Sequence, residues 1–151
     1  MNVVEIQIVS KAGGIPGEDK IRLWVDSALA EYPSASELVV RIVDKPESAQ
    51  LNEAYRHKQG PTNVLSFRFE TPVHLPTNLL GDLVVCAPLL KEEAVAQHKS
   101  LENHWAHIIV HGVLHLLGYD HIEEADAEEM ERKEIAILER LNINNPYNEA
   151  H

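Results

Sequence analysis

The sequence predicts an α+β fold, a three-layer α/β domain with about four strands and about five helices, and three observations predict it. Four short runs, VVEIQIV, ELVVRIVD, VLSFRF and DLVVCA, have the patterning of strands and are interleaved with segments of helical periodicity. Two more helical segments gather at the end of the chain. No repeat, low-complexity tract or Pro/Gly/Ser linker divides the 151 residues, and 44% of them are hydrophobic. That is enough to bury one core, so residues 1–151 are expected to form a single domain.

VVEIQIV (3–9) alternates apolar and polar residues as a half-buried strand does, and IRLWVDSALAEY (21–32) carries apolar residues at helical spacing until Pro33 interrupts it. ELVVRIVD (37–44) is the second strand. Asp44 then stands as an N-cap, with Pro46 in the first turn of a helix that runs through LNEAYR. After the QGPTN turn, VLSFRF places Val64, Ser66 and Arg68 on one face and Leu65, Phe67 and Phe69 on the other. Thr71 to Asn78, with two prolines, is expected to be a loop. DLVVCA (82–87) is continuously apolar, as a central strand should be, and LLKEEAVAQHK (89–99) returns to helical spacing. The next helix starts at Ser100, an N-cap with Glu102 in the first turn, and stops at Gly118; an acidic helix follows over 123–141. Sheet order is not legible from these patterns.

The lone Cys86 allows neither an internal disulfide nor a cysteine zinc site, which suits a reducing compartment. No basic, apolar leader opens the chain and no apolar run approaches the ~20 residues of a membrane span, so a cytoplasmic protein without membrane contact is expected. The formal net charge of −11 argues against a broad nucleic-acid surface. Charge is uneven, however: Arg56 to Arg68 holds three basic residues and no acidic one, so a local electropositive patch remains open.

The helix from Ser100 to Gly118 carries the chemistry, in HGVLHLLGYDH (111–121). Advancing ~100° per residue, His104, His107, His111 and His115 fall within roughly 80° of one another, and apolar side chains cover most of the remainder. His104 and His107, taken singly, are expected to be satisfied core residues or hydrogen-bonding supports. His111 and His115, at i and i+4, can share a metal, and Gly118 permits the reversal that returns His121 to the same site. Three nitrogen ligands leave a position open for water or substrate, as catalytic zinc sites do; copper, nickel and iron suit the same ligands. The zinc-protease pattern H-E-x-x-H-x-x-G-x-x-H places a glutamate general base after the first histidine, but here that position is Gly112. Asp82 and Asp120 are candidates for a carboxylate from elsewhere, though capping or hydrogen-bonding support is the commoner role of Asp. Met130, in EEMERK, is expected on an apolar helix face rather than in a methionine turn.

YRHKQGPTNVLSF, LGDLVV and HGVLHLLGYDH, in this order and at this separation, resemble the YbeY family, bacterial metal-dependent endoribonucleases of ribosomal RNA maturation. The resemblance spans nearly the whole chain. It implies that His111, His115 and His121 bind zinc and that Arg56 is the essential arginine facing the metal cleft. It further implies cleavage of single-stranded RNA, processing of the 3′ end of the small-subunit ribosomal RNA, and ribosome quality control. Gln59 stands where the family commonly has aspartate and Arg68 where it usually has proline after LSF, which leaves the finer substrate contacts open.

The chemistry of the residues agrees. Phosphodiester cleavage needs charge stabilisation at the phosphoryl oxygens and an activated attacking oxygen, both of which a divalent metal supplies, and arginine adds a planar charged fork that fits phosphate. By residue type alone Arg56 would be a surface ion-pairing residue; the resemblance singles it out. Lys58 and Arg68 are weaker candidates for contacts to the RNA backbone. The acidic helix 123–141 is a candidate docking face for a basic ribosomal protein of the small ribosomal subunit, although a merely solvated face is commoner. Two other readings stay open: a metallopeptidase lacking the usual glutamate base, and a non-catalytic, metal-stabilised ribosome-assembly factor. Whether water or a ribose 2′-hydroxyl attacks phosphorus is open too.

Overall fold

The computed structural model describes residues 2–32, 35–68, 78–119 and 124–146. Among these residues, four strands and five helices follow in the order β1 (Val3–Ile8), α1 (Glu18–Ala28), β2 (Ser36–Val43), α2 (Lys45–Arg56), β3 (Val64–Arg68), β4 (Asn78–Cys86), α3 (Ala87–Ala96), α4 (Leu101–Leu116) and α5 (Glu124–Arg140). The sheet order is β1-β2-β4-β3, with β1–β2 and β2–β4 parallel and the edge strand β3 antiparallel to β4. Alternation along the strands sorts the side chains into two layers of packing. Leu38, Val40 and Ile42 of β2 and Leu83 and Val85 of β4 join the main core with Trp24 of α1, Leu90 of α3, Ile109 and Val113 of α4, and Met130 and Leu138 of α5. Val43, Leu65 and Val84 point the other way and pack with Leu51 of α2 and Phe67. The expected three-layer α+β architecture is therefore present, with α2, among the described residues, alone on one face of the sheet and α4 pressed against the other.

Local readings shift in three places. α1 begins at Glu18, ahead of the apolar run, and ends at Ala28, with the residues up to Glu31 in a turn. Asp44 does precede α2 and Pro46 does lie in its first turn, but the Asp44 side chain makes no cap. It accepts hydrogen bonds from Ser10 Oγ and from the Lys11 amide (3.2 Å), which together hold its carboxyl below the usual range. β4 starts at Asn78, the residue predicted to end the loop; residues 71–77 of that loop lie outside the described residues. Gly81 explains the glycine of LGDLVV: its φ is +144°, and a Cβ there would stand 1.9 Å from the carbonyl oxygen of Phe67 on β3.

Candidate metal centre

Ser100 Oγ accepts the Asn103 amide (3.1 Å) to start α4, and Gly118 at φ +105° ends it. Between them α4 lies so close to the sheet that a Cβ at position 112 would sit 2.2 Å from Leu83 Cδ1 of β4. The Gly112 carbonyl in turn accepts a hydrogen bond from Ser66 Oγ of β3 at 3.1 Å. Close packing, not catalysis, decides the residue after the first histidine of the motif: any side chain there would have to displace a fully buried leucine.

The opposite consequence of that packing is a continuous histidine stripe. His104, 2% exposed, donates from Nε2 to Glu93 Oε1 of α3 at 2.8 Å. Glu93 also accepts from Asn63 Nδ2 at 3.2 Å and 3.3 Å; burial pushes its carboxyl up, but these two partners outweigh it and hold it below the usual range. His107 donates from Nε2 to Glu134 Oε2 of α5 at 3.2 Å, and burial, more than any other influence, lowers its pKa and favours the neutral ring. His111 donates from Nδ1 to Glu134 Oε1 at 2.5 Å. With its proton on Nδ1, the neutral ring carries a lone pair on Nε2, and that atom lies 3.1 Å from His115 Nε2. Two nitrogens at ~2.05 Å from one tetrahedral ion would be ~3.3 Å apart, so these two fit a shared metal. His107, His111 and Glu134 themselves offer ligand atoms within 4.8 Å of one another, a second way in which the same cluster could hold an ion.

The family model for Endoribonuclease YbeY matches residues 9–142, a span that takes in all the helices and the complete histidine motif. The chain belongs to the YbeY endoribonuclease family. An Endoribonuclease YbeY of Methylococcus capsulatus is 57% identical over 140 residues, covering 93% of this chain and 92% of that one. One of Colwellia psychrerythraea is 49% identical over 150 residues and covers 97% of each. The solution structure of a Thermotoga maritima protein, at 21% identity, superimposes with a TM-score of 0.59 over 95% of both chains and shows the same fold.

Of the site residues that the YbeY resemblance implies, the structure brings His111 and His115 together. His121, like Asp120, lies outside the described residues. Arg68 is exposed, and its guanidinium lies 3.3 Å from where a Cβ of Gly118 would be, beside the turn that leads from α4 towards His121. Arg56, also exposed, is the last residue of α2, across the sheet from α4; its neighbour Tyr55 packs edge-on against Phe67 of β3 with ring centroids 5.1 Å apart. Lys58 is exposed in the connection that follows. That connection is strapped down by buried residues of α2: Ser48 Oγ donates to the Thr62 carbonyl (2.8 Å) and Asn52 Nδ2 to the Gly60 carbonyl (2.9 Å). Asp82 is no candidate base, because it sits between Gly81 and Leu83 on β4 and shares the strand face of Val84, away from the histidines. Burial, then the charge of Glu5, raises its pKa. Met130 is fully buried in the core, as its helical pattern predicts.

Glu134 is the site residue that the sequence reading missed. It is 0% exposed, and it stands on the stripe of α5 that includes Met130, Ile137 and Leu138. A charged residue at an apolar-stripe position of an amphipathic helix was the available signal.

Proposed function

We propose that the chain is a metal-dependent endoribonuclease of residues 1–151 that cleaves single-stranded RNA in the cytoplasm. Its role would be maturation of the 3′ end of small-subunit ribosomal RNA and ribosome quality control, with zinc held by His111, His115 and His121. The observation that carries this reading is the pair of Nε2 atoms of His111 and His115 facing each other at 3.1 Å, in a chain whose relatives are named endoribonucleases. An ion among His107, His111 Nδ1 and Glu134 would have to replace a 2.5 Å hydrogen bond, so the Nε2 side is the better ligand face.

When bound, the metal supplies Lewis-acid stabilisation of phosphoryl charge and lowers the pKa of an attacking oxygen's proton. The chain's own residues do the rest. His111 and His115 present their Nε2 atoms to one point, and Arg56 offers its fork to phosphate oxygens. Tyr55, the neighbour of Arg56, packs on Phe67 of β3, an edge strand of the sheet. Arg68 and Lys58 extend the cationic border along the RNA backbone. The peptidase reading loses ground at Gly112, where a glutamate would enter the sheet and not the site.

The test compares RNA cleavage by the wild type and His115→Ala, purified identically. Wild-type turnover abolished in the variant is expected; equal activity in both preparations would trace the cleavage to a contaminant and leave the non-catalytic assembly factor as the better reading. Product ends decide the attacking group: a 2′,3′-cyclic phosphate marks the ribose route, and a 5′-phosphate marks water.

A further inference from the structure

Glu134 is fully buried, and each of its two carboxylate oxygens receives a histidine N–H, Oε1 from His111 Nδ1 at 2.5 Å and Oε2 from His107 Nε2 at 3.2 Å. A carboxylate removed from water costs several kcal/mol unless donors and positive charge compensate it, so its place in the core of α5 demands a purpose or a partner. Its helix is also anchored in the core: Met130 and Leu138, one turn before and one turn after, are both 0% exposed within the main core. The carboxylate is thus brought to the histidine stripe by a different helix, with both oxygens hydrogen-bonded.

We infer that Glu134 is the positioning residue of the metal centre, clamping His111 as its Nδ1–H tautomer so that the Nε2 lone pair is aimed at the point shared with His115. The bond fixes two things at once. In the neutral ring the one N–H held on Nδ1 leaves Nε2 with its lone pair, and the 2.5 Å contact fixes the rotation of the ring about its Cβ. The negative charge also makes the imidazole a stronger donor to a cation. His107 completes the clamp from the other side by occupying the second oxygen, so that Glu134 cannot rotate to bind an ion directly without breaking both hydrogen bonds. This inference rests on the metal-centre reading above and names what makes that centre tight.

The test measures Zn²⁺ and Co²⁺ binding to the full chain by competition with a chromogenic chelator, together with the visible spectrum of the Co²⁺ form and thermal unfolding of the metal-free protein. Glu134→Gln keeps the shape but lacks the charge, and it is expected to bind either ion ~10–100-fold more weakly, with an altered Co²⁺ spectrum. Glu134→Asp keeps the charge but withdraws it from His111, and the same loss is expected, which covers the case in which the glutamine variant does not fold. A purely structural role would lower the unfolding temperature while leaving affinity and spectrum at wild-type values, and that result overturns the inference. A direct-ligand role would make Glu134→Gln as damaging as His111→Ala while His115→Ala kept the metal, and that overturns it too. Failure of the underlying reading is recognised separately, because the wild type itself would then bind neither ion.

Discussion

At the start of the α4 stripe, His104 is 2% exposed and ends on Glu93, which Asn63 also holds. Two turns on, His111 and His115 are only partly buried, and their Nε2 atoms face one another. Residue type, helix and face are shared, but the partners differ. At the first end a carboxylate takes the N–H of a buried ring and ties α3, α4 and the connection after α2 together. At the second a carboxylate takes the far nitrogen, Nδ1 of His111, and the near one, Nε2, faces His115. A histidine is structural or chemical according to which of its two nitrogens the protein has already occupied.

The largest expected effect separates the two ends outright. On the proposed function, His111→Ala, His115→Ala and His121→Ala should each lose the one transition metal per chain, and cleavage should fall by on the order of 10³-fold or more, since a metal in that role would contribute several kcal/mol of charge stabilisation. His104→Gln should retain its metal and lose about 1–3 kcal/mol of stability, because Glu93 is left with a poorer partner. Metal analysis beside thermal unfolding checks this, and metal loss in His104→Gln would erase the distinction.

Next in size is Arg56, which belongs to neither end. Arg56→Ala should keep metal content and unfolding temperature near wild type while cleavage falls ~10²–10³-fold, and Arg56→Lys should restore only part of it, because a point charge lacks the two-pronged geometry. Metal loss together with activity loss would instead make Arg56 a support of the site.

The smallest effect sharpens the closed end through pH. The Glu93 carboxyl, whose ordinary value is 4.5, is held lower in the folded chain. The unfolded state therefore takes up its proton first as pH falls, so the stability that Glu93 contributes is present above about pH 4.5 and is lost as pH drops through the lower folded value. Glu93→Gln should be less stable than wild type by about 1 kcal/mol at neutral pH, and the gap should narrow below pH 4.5. Unfolding curves from pH 7 to 3.5 measure it; a constant gap would mean that Glu93 contributes by packing alone.

Features set by neighbours along the chain were legible without coordinates. The i, i+4 spacing of His111 and His115, the Ser100 cap, the Gly118 stop and the alternation over Val64–Arg68 all depend on local backbone geometry, and each appears where the pattern puts it; Phe69 lies outside the described residues. Membership of the YbeY family was legible for the same reason, in three contiguous motifs. What the sequence left open depends on contacts between distant segments. Sheet order β1-β2-β4-β3, and with it the placing of α2 and α4 on opposite faces, follows from pairing and layer packing that no local pattern encodes. The reason for Gly112 lies in Leu83, 29 residues earlier. The proton arrangement on His111 is decided by Glu134, 23 residues later on another helix, because only the folded core brings a carboxylate out of water and within 2.5 Å of Nδ1.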